Sequence, residues 1–206
     1  MNMEATDNIM ESDEFKKCVD FHGHICPGLS MGYKAAKIAL SKLKETRADD
    51  EEIVAIVETD ACSADAVQVL TGCTFGKGNF IYKDYGKMAL TLFSRKTGTG
   101  VRVSMLNDAY PADETHLSLL RKVMAGTADA TEQERFQSLH MQRSRDLLAT
   151  PDDKLFSATI IQMKAPAKAR IEPSEPCSQC GEPTMRTKLE LSGNKKICRG
   201  CLEQSG

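Results

Sequence analysis

The chain has 206 residues, 41% of them hydrophobic, with few aromatics, no tryptophan and a formal net charge of −2. That length holds one medium domain and something small, and the near-neutral charge argues against a polyanion as the main partner. The acidic start MNMEATDNIMESDEF lacks the apolar stretch of a secretory signal, and no run of about 18 apolar residues suggests a membrane span. Eight cysteines in a chain read this way as cytoplasmic are expected to serve metals or chemistry more than disulfides.

In chain order, helical spacing of Phe15, Cys18 and Val19 predicts a first helix over about 12–20. After Cys26-Pro27-Gly28, the amphipathic stretch 29–43 predicts a second, with Pro27 suited to its first turn. The apolar run 53–57 reads as a strand buried on both faces, and 62–70 as a helix stopped by Gly72. Strands are expected at 79–83, 88–93, 101–106 and 156–163, with helices at 115–126 and 131–149 between the last two. Thr131 and Glu134 match a capping box at the start of the second of these helices. The mixture is an α+β fold with a sheet of four or five strands.

Composition changes at 164–176, which holds three prolines and no apolar period. It is expected to be a linker between a core (1–163) and a small tail domain (177–206). The stretch from 164 onward carries 8 Lys/Arg against 5 Asp/Glu, and the part before it 19 against 24, so the two parts have opposite charge.

Cys177-x-x-Cys180 and, 17 residues later, Cys198-x-x-Cys201 have the spacing of a four-thiolate zinc ribbon. Four thiolates close a tetrahedral shell, leaving no position for substrate, and so short a segment depends on the ion for its fold. Iron of the rubredoxin kind and a redox dithiol are the chemical alternatives. The basic residues Arg186, Lys188, Lys195, Lys196 and Arg199 come without aromatic stacking partners, so nucleic acid is not the expected ligand.

The stretch FHGHICPG (21–28) places two of the four histidines beside a cysteine. Gly23 ends the first helix, and Pro27 keeps Cys26 out of the helical region. If the intervening residues are extended, His22, His24 and Cys26 share one face. The alternative is that His22 packs along the helix stripe, His24 is a surface residue and Cys26 a small buried hydrophobe. Cys26 and Cys62 each precede a helix, where the partial positive charge favours thiolate, with Asp60 and Ser63 as candidate caps near Cys62. Two such cysteines with nearby imidazoles suit a second ion in the core, again zinc. Cys73 is a candidate redox or ligand cysteine, and Lys77 a candidate anion-binding residue. GCTFGKG (72–78) lacks the spacing and the Ser/Thr of a nucleotide-binding loop. Cys26, Cys62, Cys73 and Lys77 are thus the catalytic candidates. His116 and His140 fall on amphipathic helices and receive no role.

FHGHICPGLSMGYKAA, TDACSADAVQVLTGCTFGKGN and the terminal CxxC pairs together resemble the FmdE family of formylmethanofuran dehydrogenase subunits over about residues 15–163, with the ribbon following. The resemblance implies an α+β metal-binding core, often dimeric, and association with a molybdenum or tungsten enzyme that reduces carbon dioxide onto methanofuran. Carried over by position, it points to His22, His24 and Cys26 in the first motif and to Asp60, Cys62, Cys73 and Lys77 in the second. No molybdopterin-binding motif accompanies them. Three functions compete: an accessory or redox subunit of such an enzyme, a stand-alone zinc enzyme with an open core site, and a zinc-ribbon regulator sensing a metal or ligand.

Overall fold

A computed structural model describes residues 3–204. The chain divides into two compact units, 1–168 and 169–206; the division falls inside the stretch expected to be a linker.

The first unit holds a five-stranded sheet in the order β2-β1-β3-β4-β5. Its strands are β1 (Ile53–Val57), β2 (Phe80–Tyr82), β3 (Ala89–Ser94), β4 (Thr99–Met105) and β5 (Phe156–Gln162). Only β1 and β2 run parallel, joined by the crossover helix α4 (Ser63–Thr71); the other pairs are antiparallel. Side chains alternate across a strand. Ile53, Ala55 and Val57 therefore enter the main core, while Val54 and Ile56 form a second cluster with Phe93 on the other face. That double burial is why β1 reads as an unbroken apolar run. The edge strand β5 leaves Ile160 exposed.

Helices α2 (Asp13–His22) and α3 (Pro27–Leu43) flank the histidine–cysteine segment, and α5 (Glu114–Met124) and α6 (Ala130–Ala149) pack as a pair. Helix α1 (Met3–Glu11) has no counterpart in the sequence reading. It is largely polar and is held on α6 partly by the Asp7–Arg145 ion pair at 2.6 Å. The start of α6 also differs from expectation. Its capping box is formed by Asp129 and Glu132, two residues before Thr131 and Glu134, so the helix begins earlier.

Helices α3 and α4 cross at Gly32. A Cβ there would stand 2.3 Å from the Ser63 carbonyl oxygen and 2.6 Å from its Cα. Because the obstacle is backbone, α4 would have to shift. Gly32→Ala should therefore lower the core's unfolding free energy by about 1–3 kcal/mol, although alanine is the better helix former. Urea unfolding followed by far-UV circular dichroism checks this; an unchanged or raised midpoint would contradict the close crossing.

The second unit contains the hairpins β6 (Ser174–Pro176) with β7 (Pro183–Met185) and β8 (Leu189–Ser192) with β9 (Lys195–Cys198), then the short helix α7 (Arg199–Glu203). Strand β6 thus begins within the residues expected to be linker. Among the described residues the core of this unit is Cys177, Ile197 and Cys201, edged by Leu189, Cys198 and Leu202.

Candidate metal centres and the cleft

In the second unit the four cysteine sulfurs lie within 4.8 Å of one another. Cys177 and Cys201 are 4.0 Å apart, Cys180 and Cys198 3.9 Å. Each CxxC turn aims backbone donors at sulfur: the N–H groups of Cys198 and Gln179 point at Cys177 Sγ from 3.3 and 3.5 Å. The first of these contributes most to pulling the Cys177 thiol down to about 6, whereas contact with Cys198 helps push Cys201 up to about 12. Without a cation the cluster cannot hold four thiolates; a divalent ion would deprotonate them all and close the shell. This cysteine cluster fits a small zinc ribbon. Three of the basic residues are engaged locally, in Arg186–Glu172, Lys196–Glu175 and Arg199–Glu190 pairs.

In the first unit the donor atoms of His22, His24 and Cys26 also lie within 4.8 Å of one another. The route differs from the extended segment expected. His22 is the last residue of α2, and Gly23 turns the chain in a left-handed conformation (φ 95°). Only then does the chain extend, to Cys26 at φ −145°. His22 Nε2 is 3.6 Å from Cys26 Sγ, and the His24 ring centroid is 4.6 Å from that of His22. His22 Nδ1 contacts Asp65 Oδ2 at 2.7 Å. A carboxylate on the far nitrogen fixes the tautomer and orients an imidazole towards an ion. Asp65, three residues after Cys62 on the first turn of α4, escaped the sequence reading; the helical spacing of Cys62 and Asp65 was its available signal.

Cys26 caps α3, its sulfur accepting the Leu29 N–H at 3.2 Å. The expected thiolate is not favoured by this position alone. Burial pushes the thiol up to about 11, outweighing the Leu29 N–H, so an ion is required to displace the proton. Cys62 occupies the N-cap of α4 without a side-chain capping bond, in place of the expected caps Asp60 and Ser63. It is not part of the 4.8 Å group, but it borders it. A Cβ on Gly28 would stand 3.6 Å from Cys62 Sγ and 3.9 Å from Cys26 Sγ.

Cys73 and Lys77 lie beyond the opposite end of α4. Cys73 is fully buried, its thiol donating to the Ile53 carbonyl at 3.5 Å, and Lys77 Nζ donates to the Ala48 and Asp49 carbonyls. Burial raises the Cys73 thiol. A nine-residue helix separates them from Cys62, about 13 Å at the usual rise. Asp60 is exposed on the loop before Cys62.

Cys26, Cys62 and His24 open on a cleft of about 1080 Å³ whose far wall is α5 and α6. That wall carries Leu117, Leu120, Met124, Phe136 and Met141, together with His116 and His140. Arg143 stacks over the Tyr110 ring at 4.1 Å and donates to the Pro111 carbonyl at 2.9 Å. His116 and His140, which sequence spacing left without a role, meet from different helices, Nε2 to Nδ1 at 2.9 Å. Burial, and secondarily His116, His24 and Arg143, lowers His140 to about 4; His116 is lowered as well, chiefly by burial. Both rings are therefore neutral in the folded core near pH 7. Since the unfolded histidine takes its proton near 6.5, the core's stability should be full above that pH and be lost as pH falls towards about 4. After allowance for solvent screening the loss is on the order of 2 kcal/mol. Urea midpoints across this range should show it, and His140→Gln should flatten the profile; an equal slope in that variant would contradict the assignment.

An α+β core whose partly exposed His22–His24–Cys26 corner, bordered by Cys62, opens on an apolar cleft is a protein of the FmdE kind. Residues 21–157 match the family described as FmdE, Molybdenum formylmethanofuran dehydrogenase operon, and the chain belongs to that family. The crystal structure of a tungsten formylmethanofuran dehydrogenase FmdE-like protein from Syntrophus aciditrophicus superposes with a TM-score of 0.62 at 25% identity, covering 97% of this chain and 93% of that one. A curated relative from Archaeoglobus fulgidus, named "Probable S-adenosyl-L-methionine-binding protein", is 35% identical over 179 residues, 83% of this chain and 48% of the relative. The chain thus spans about half the length of that relative. Among the described residues no helix is long and apolar enough to cross a membrane.

Proposed function

We propose that the core binds a zinc ion through His22, His24 and Cys26, with Cys62 in reach as a fourth or exchangeable ligand, and presents it to a small molecule in the cleft. The observation that carries this reading is the convergence of three borderline-soft donors at a cleft wall, with Asp65 on the outer nitrogen of His22. In this reading the protein is a metal-binding accessory subunit for molybdenum- or tungsten-dependent one-carbon chemistry in the cytoplasm, working as a homodimer. The family description and the tungsten-enzyme name of the similar crystal structure support that context. The ribbon holds a second zinc in a closed, structural shell.

The open cleft beside the core donors favours a second reading, a stand-alone zinc enzyme that polarises a ligand bound there. The name of the Archaeoglobus fulgidus relative makes S-adenosyl-L-methionine a ligand to try in the same cleft. Asp65→Asn separates a built metal site from a chance cluster. It should weaken zinc binding by the core about 10–100-fold, as loss of an orienting carboxylate does, in competition with a chromophoric chelator. Unchanged affinity would remove the case for the site.

A further inference from the structure

The His116–His140 contact lies in the wall of the cleft that also holds His24, Cys26 and Cys62. The two ring centroids stand 5.1 Å apart and the planes differ by only 20°. With 2.9 Å between the facing nitrogens, that separation is close to the largest possible, so the rings lie end to end with the hydrogen bond in line. Two imidazoles sharing one ion would instead point at it from an angle, which brings their centroids closer. The contact is therefore an in-line N–H···N bond. Phe136 braces it, with ring centroids 5.5 Å from His116 and 4.8 Å from His140.

We propose that His116 and His140 form a neutral proton relay serving a weakly acidic ligand held in the cleft. An in-line bond allows only two neutral arrangements. Either both rings carry their proton on Nδ1, or both carry it on Nε2. When the ligand gives its proton to the bare outer nitrogen of one ring, the shared proton crosses the 2.9 Å bond. The outer proton of the other ring then leaves to water. The ligand ends as an anion, one proton reaches solvent, and both rings remain neutral with exchanged tautomers. A ligand that uses such a relay has an ionisable S–H, O–H or N–H and a donor atom for the core ion. The charged and titratable neighbours are Asp113, whose Oδ1 accepts the His116 backbone N–H, Arg143, and His24 on the facing wall.

The relay rests on the reading that the cleft receives a metal-bound ligand, and the test separates the two. The full chain, labelled with ¹⁵N-histidine and loaded with zinc, is followed at pH 7 by long-range ¹H–¹⁵N NMR, with acetohydroxamic acid as probe. His116→Phe and His140→Phe assign the signals. The relay requires matching tautomers in the two rings, a nitrogen–nitrogen coupling across the bond, and a joint exchange of tautomer when the probe binds. Unlike tautomers, a protonated ring, or a change in one ring alone would overturn it. Binding of the probe with neither ring responding would overturn the relay and leave the metal cleft standing. No binding of the probe to the zinc-loaded chain would remove the cleft reading, and the relay with it.

Discussion

Cys198→Ser should empty the second unit of its ion and unfold it in one step, with the core intact. Among the described residues the tail's buried apolar cluster is three residues, two of them cysteines, far short of what a stable domain needs. Structural zinc in such modules binds with about 10–16 kcal/mol at neutral pH, so the ion supplies nearly all of the fold. Losing Cys198 removes one sulfur and leaves three, which no longer close a tetrahedral shell around the ion. Proteolysis should cut residues 169–204 in the variant and spare them in the parent chain. A protease-resistant tail in Cys198→Ser would show that the hairpins hold without the ion.

The second large effect falls on the core. Cys26→Ser should cost at least 100-fold in core metal affinity, beyond the range for an orienting partner alone, yet leave the secondary structure unchanged. Serine is itself a favoured N-cap, so it can accept the Leu29 N–H that Cys26 accepts now. It removes a soft ligand and keeps the helix start. If Cys26 were only a small buried hydrophobe, the same change would lower stability modestly and not touch metal content. The two accounts therefore predict different observables.

These residues show how far local pattern reaches. The apolar run of β1, the four-cysteine spacing and the helix after Pro27 were legible because each depends on neighbours in sequence. The corner of His22, His24 and Cys26 was legible as a group, though through a different backbone path: the helix persists to His22, and Gly23 makes the turn. What could not be read depends on partners far along the chain. Asp65 reaches His22 from 43 positions away, and His116 meets His140 across 24. The crossing at Gly32 depends on α4 arriving at that point, and the placement of Cys73 and Lys77 on α4 running away from the corner. Cap positions slipped for a smaller reason. Thr131 and Glu134 had an acceptable pattern, and Asp129 with Glu132 had a better one two residues earlier.

The most direct test of the core site is metal analysis of Cys198→Ser, in which the ribbon can no longer hold its ion. Purified without chelators from zinc-supplied cells, this chain should retain one zinc per chain, and X-ray absorption should show a shell of mixed nitrogen and sulfur neighbours at the distances expected for histidine and cysteine. A chain free of metal, or one whose zinc has only light-atom neighbours, would contradict a site built from His22, His24 and Cys26.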